Sequence, residues 1–154
     1  MKEYRKILVP IDGSDLSKIA FRKALSLAKH FGSTVELLHV SEGFPAAWGL
    51  QGMDGIDIYQ NDIQEQMDKN TEEMIEEYRD ISKEKGIETK SDIVIGNPAD
   101  VIIDASKDYD LIVMGTHGKG GLLHLLIGGT AEKVVRHACC PVLLIRERTQ
   151  HCGK

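Results

Sequence analysis

The residues best suited to chemistry in this chain are glycines. Met114-Gly115-Thr116-His117-Gly118-Lys119-Gly120-Gly121 is followed, after an apolar stretch, by Gly128-Gly129-Thr130. Glycine has no Cβ and adopts φ > 0 at little cost, so a loop of this kind can turn backbone N–H groups toward an anion. Ala131, Val134, Val135 and Ala138 then share one face at helical spacing. That places Gly128, Gly129 and Thr130 at a helix N-terminus, where unpaired N–H groups and the helix dipole favour phosphate. The competing reading is a glycine-rich turn that only reverses the chain. A second candidate is Asp12, whose carboxylate could accept from a ribose hydroxyl or an adenine amino group. Asp12-Gly13 is also an ordinary turn pair.

These groups need elements to bring them together. Residues 7–11 (ILVPI) form a short apolar run that reads as a strand buried on both faces. Ser14 or Asp15 can cap the following helix, whose stripe of Leu16, Ala20, Ala24, Leu27 and Phe31 ends at Gly32. Strands are expected at 34–40, 87–95, 111–114 and 141–145. Between the second and third strands lie a glycine-rich loop over residues 41–57 and a long helix carrying Ile63, Met67, Met74, Tyr78 and Ile81 on one face. The glutamates of that helix read as a solvated face. Asn97-Pro98-Ala99-Asp100 is a helix start, with Asn as cap and Pro at the first helical position.

The alternation β-α-β-α-β-α-β-α-β implies an α/β fold: a Rossmann-like, doubly wound, five-stranded parallel sheet with helices on both faces. In such a sheet ligands bind beyond the carboxyl ends of the strands, where strand order reverses. With order 3-2-1-4-5 that point lies between the first and fourth strands. Asp12 leaves one and the loop from Gly115 leaves the other, so two separate segments converge on one crevice.

Composition narrows the function. The chain has 154 residues, 42% hydrophobic and 28% charged, as expected of one domain over residues 1–148 with a short mobile tail over 149–154. No apolar segment suggests a membrane span or signal peptide, so the default location is cytoplasmic. A net charge of −5 without a basic cluster argues against nucleic acid. Cys139, Cys140 and Cys152 lack metal-ligand spacing, and the first two are expected to be small buried packing. GxxxxGK[ST], GxGxxG after the first strand and GxSxG do not occur, so neither a P-loop NTPase, a dinucleotide dehydrogenase nor a serine hydrolase is indicated.

The spacing Gly115-x2-Gly118-x9-Gly128, the preceding Val113-Met114 and the following Ala131-Glu132-Lys133-Val134-Val135-Arg136-His137 resemble the ATP-binding branch of the universal stress protein family. Lys6-Ile7-Leu8-Val9-Pro10-Ile11-Asp12-Gly13-Ser14 and Gly96-Asn97-Pro98-Ala99 are similar to the same family. The resemblance implies a module that binds ATP or AMP, usually as a homodimer, with roles in stress survival and signalling. It implies that Pro10 and Asp12 lie by the adenosine and that Val40 presents backbone to the adenine. Met114 and Gly115 would line the ribose side, and Gly118, Gly128 and Gly129 would hold phosphates. The family motif ends Gly-[Ser/Thr]; here Gly129 occupies the hydroxyl position, and Thr130 comes one later. Any Mg²⁺ would be held by the phosphates.

Three functions stay open on these residues: a nucleotide-binding signalling module, an adenine-nucleotide hydrolase or phosphotransferase, and a dimerisation module without ligand. The strand Val142–Ile145 would be an exposed apolar edge and is the expected homodimer contact. Lys119 could neutralise a phosphate or be merely solvated, and His117 and His124 read as surface residues rather than catalysts. The loop over 41–57, carrying the single tryptophan Trp48, starts on the ligand side of the sheet and is expected to fold toward the adenine side or the partner subunit when nucleotide is bound, or else to pack permanently on the body.

Overall fold

The computed structural model describes residues 4–43, 56–118 and 126–147. Five strands, β1 (Lys6–Ile11), β2 (Thr34–Ser41), β3 (Thr89–Ile95), β4 (Leu111–Gly115) and β5 (Val142–Ile145), form one sheet. All ladders are parallel, as the alternation of the sequence implies, and the order is β3-β2-β1-β4-β5, the one expected. Between the strands run α1 (Asp15–Phe31), α2 (Ile56–Lys85), α3 (Pro98–Ala105) and α4 (Gly129–His137). Trp48, Lys119, His124 and residues 148–154 lie outside the described residues, as does most of the 41–57 loop.

The pleat of β1 divides the interior. Ile7, Val9 and Ile11 point to one face and pack with Phe21, Ala24 and Leu25 of α1 and Ile75, Tyr78 and Ile81 of α2. Leu8 points to the other and packs with Ile102 of α3 and Ala131 and Val134 of α4. A strand clothed on both faces must be apolar at successive positions, which is why the first strand reads as a continuous run.

The helix ends follow their sequence signals. Ser14 caps α1, its side chain accepting from the Ser17 N–H, and Gly32 closes it with φ +68° and an N–H to the Ala28 carbonyl at 2.8 Å. That backbone favours a residue without Cβ. Asn97 caps α3 by accepting the Asp100 N–H, with Pro98 at its first turn. The buried stripe of α1 differs from the expected one: Phe21, Leu25 and Ala28 are buried, whereas Leu27 is half-buried at the rim. Phe31 lies edge-on to Tyr4 with ring centroids 5.5 Å apart. A helix lying on a sheet and also touching α2 buries a wider arc than one row of side chains.

Two further expectations change. The third strand starts at Thr89, because Gly86, with φ +67°, ends α2 and residues 87–88 complete the turn. Cys139 is exposed rather than buried; Cys140 is half-buried against the α3–α4 side of the sheet, where burial pushes its thiol pKa up.

Candidate functional site

A cleft of about 530 Å³ opens at the carboxyl ends of β1 and β4. Its location follows from topology: α1 leaves β1 toward one face of the sheet and α4 leaves β4 toward the other, so the two loops diverge and leave a crevice. Pro10 and Asp12 enter from β1, Val40 from β2, Met114, Gly115 and Gly118 from β4 and its loop, and Gly128, Gly129 and Thr130 from the start of α4. These nine residues, all named from the sequence, therefore line one cavity.

The acidic side is tightly organised. The Asp12 Oδ1 accepts from the Ser14 N–H at 2.9 Å and from the Ser14 hydroxyl at 2.6 Å. Gly13, with φ +79°, makes the turn possible. Its N–H donates to the Tyr78 hydroxyl at 3.2 Å, and the Asp12 N–H donates to the Ser17 Oγ at 3.4 Å. The Ser17 and Tyr78 hydroxyls are themselves hydrogen-bonded. Burial is the main cause that raises the Tyr78 phenol pKa, opposed by hydrogen bonds from Ser17 and the Gly13 backbone.

Across the crevice the glycines serve space rather than backbone strain. Among the described residues, positive φ occurs at Gly13, Gly32, Gly43 and Gly86, not at Gly115, Gly118, Gly128 or Gly129. A Cβ on Gly118 would sit 2.3 Å from the Asp12 Oδ2, and one on Gly115 would crowd Leu16 and the His117 carbonyl at 3.0 and 3.2 Å. A Cβ on Gly128 would meet His117 and Thr116 only at ordinary contact distance, and one on Gly129 would meet nothing within 4 Å.

The Gly128 N–H donates to the Thr116 carbonyl at 2.7 Å, so that donor closes the loop on itself. The first-turn N–H groups of α4 that follow it, from Gly129, Thr130 and Ala131, begin a helix that has no side-chain cap. Their orphan donors and the helix dipole give this end of the cleft positive character. Leu38, Val40, Pro98, Ile102 and Met114 give the cleft an apolar lining.

Sequence reasoning missed several of these residues. Pro98 and Ile102 read only as a helix start and a buried helix side, and Ser17 did not stand out. Tyr78 read as one member of an apolar helical stripe. Glu42, at the end of β2, adds a carboxylate to the cavity lining. Among the described residues no group of His, Cys, Asp and Glu is arranged to hold a metal ion. The arrangement can bind a molecule with an apolar planar part, hydroxyls and an anionic end.

Known proteins resemble this chain in sequence and in fold. The sequence model of the universal stress protein family matches residues 3–146. The chain is similar to universal stress protein MJ0531 of Methanocaldococcus jannaschii, at 34% identity over 146 residues, covering 94% of this chain and 83% of that protein. It is also similar to YxiE of Bacillus subtilis, at 32% identity, covering 93% and 99% of the two chains. Among solved structures, UspA of Lactobacillus plantarum superposes with a TM-score of 0.77 at 25% identity, covering 94% and 99%. The same fold, at TM-scores of 0.64 and 0.67 and 23% and 22% identity, is seen in a protein of Archaeoglobus fulgidus in complex with dAMP and one of Arabidopsis thaliana with AMP bound. Those two cover 94% and 97% of this chain and 99% and 96% of their own.

Proposed function

Because the chain belongs to the universal stress protein family, we propose that it binds an adenine nucleotide, AMP or ATP, in the β1–β4 crevice and works as a stress-response and signalling module. The observation that carries this reading is that the Asp12 carboxylate and the side-chain-free backbone of Gly118, which approach too closely for a Cβ between them, border the same cleft of about 530 Å³, so a ligand there can touch both. The apolar wall of Val40, Met114, Pro98 and Ile102 suits an adenine ring, which buries an aromatic face. Asp12 suits the ribose hydroxyls as acceptor. The loop at Gly115 and Gly118 and the uncapped start of α4 at Gly128, Gly129 and Thr130 suit the phosphates. Structural relatives crystallised with dAMP and AMP add weight to the adenine nucleotide as ligand class.

A triphosphate would carry its own Mg²⁺, since the cavity lining offers the acidic side chains Asp12 and Glu42 and no cluster of three or more metal-binding groups among the described residues. The proposal includes a homodimer through the edge strand Val142–Ile145 and a cytoplasmic setting. No helix among the described residues is long and apolar enough to cross a membrane.

The test is to denature freshly purified protein, identify the nucleotide it releases, and titrate the emptied protein with AMP, ADP and ATP by calorimetry. Binding without turnover supports the module. Steady conversion of ATP would make the chain an enzyme, and no affinity for any of the three would overturn the reading.

A further inference from the structure

We propose that Tyr78 is a positioning residue for this crevice: from α2, its hydroxyl holds the Asp12–Gly13 turn and thereby aims the Asp12 carboxylate at the ligand space beside Gly118. The inference rests on the nucleotide reading of the site and deepens it, because it assigns part of the ligand geometry to a helix that follows β2, remote in sequence from the glycine loop.

Tyr78 is fully buried, and its ring packs edge-on to Phe21 at a centroid distance of 5.5 Å. A phenylalanine would fill that space equally well. A buried hydroxyl is costly to desolvate and persists only where it is hydrogen-bonded, so the partners of the oxygen show what it is for. Those partners are the Gly13 N–H at 3.2 Å and the Ser17 Oγ. Ser17 in turn takes the Asp12 N–H. The two hydroxyls thus receive the consecutive amides of residues 12 and 13, from below the turn.

Above the turn, Ser14 takes the Asp12 Oδ1 through both its N–H and its hydroxyl. With the backbone fixed from one side and Oδ1 from the other, Oδ2 falls on the side of Gly118, where it would touch any Cβ. The remaining polar ties between α1 and α2 among the described residues are the ion pair Lys18–Glu77, its glutamate exposed and its lysine partly so, and Arg22–Glu84, exposed at both ends. Exposed pairs of that kind are screened and hold geometry weakly. Tyr78 is the buried polar link from α2 to the crevice.

The deciding variant is Tyr78→Phe, which deletes one oxygen and keeps the ring. It is compared with Ile81→Val, a trimming of the same buried face of α2 that touches no part of the turn. Tyr78→Phe is expected to weaken AMP binding by roughly 3- to 10-fold, while Ile81→Val lowers the melting temperature without changing affinity. In ligand-free protein, Tyr78→Phe is expected to shift the backbone amide resonances of Asp12 and Gly13 and, across the crevice, of Gly118. In an Asp12→Asn background the same change is expected to cost less than about twofold, because the carboxylate it positions is gone.

Unchanged AMP affinity in a folded Tyr78→Phe protein overturns the proposal, as does an equal loss in the two backgrounds. If the wild-type protein binds no adenine nucleotide, the nucleotide reading fails on its own, and the ligand-free spectra still decide: an unshifted Gly118 amide refutes positioning of the Asp12 side chain, and a shifted one upholds it.

Discussion

Gly118 and Asp12 face each other so closely that a Cβ on the glycine would lie 2.3 Å from the Asp12 Oδ2. No pair of unbonded atoms tolerates that separation, so the loop after β4 and the turn after β1 are matched to each other through the absence of one methyl group.

Gly118→Ala is therefore expected to displace either the carboxylate or the loop. The backbone at Gly118 is not in the left-handed region, so the substitution introduces no φ strain and the protein should stay folded. AMP affinity should fall at least about tenfold, the worth of one charge-assisted hydrogen bond. Calorimetry that finds wild-type affinity in a protein with a wild-type circular dichroism spectrum would remove Gly118 from the site.

Gly129 behaves oppositely. Its Cβ position is open, and it stands in the first turn of an uncapped helix. Gly129→Ser should place a hydroxyl at the phosphate end without a clash and tighten ATP binding by about 2- to 10-fold. A weaker complex would mean that the phosphates do not reach this turn.

The β5 edge carries Leu143 at 39% exposure, with Val135 of α4 exposed at 48% on an adjoining element. An open apolar edge strand is normally covered, and a two-fold pairing is the simplest cover. Light scattering should find a dimer at micromolar concentration and a monomer for Leu143→Glu; a monomeric wild type excludes this interface.

Alkaline pH should destabilise the fold. The phenols of Tyr78 and Tyr109 both titrate above their ordinary value of 10.0, chiefly through burial, and Glu36, which accepts from the Tyr109 hydroxyl at 2.6 Å, adds to the second. A folded value raised above the unfolded one means that stability is complete below the unfolded value and is lost as pH rises toward the folded one. The urea midpoint should fall between about pH 9 and pH 11, and fall less steeply for Tyr109→Phe. An equal slope for both proteins would assign the loss to other groups.

The strands and helix caps were legible because each rests on a local rule: doubly buried strands are continuous apolar runs, and caps are fixed by a few residue types. The meeting of Asp12 with the glycine loop was legible because topology dictates where a parallel sheet opens. Tyr78 was not, since a tyrosine at helical spacing among Met74 and Ile81 shows its ring to sequence pattern and hides where its hydroxyl points. Pro98 and Ile102 were hidden likewise, their helix-start and buried-face signals being true but silent about the cavity behind them. The exposure of Ile93 and Ile95 on the outer strand could not be read either, because an edge and a central strand carry the same apolar residues.

The bond from the Gly128 N–H to the Thr116 carbonyl ties the start of α4 to the end of β4. Thr116 is itself anchored to the sheet, its N–H donating to the Ile145 carbonyl at 2.9 Å. Thr116 and Gly128 are clasped to each other, and Thr116 to β5, so backbone alone holds the start of α4 against the end of β4 whatever side chains stand at positions 119–125, and lengthening a closed loop costs little free energy.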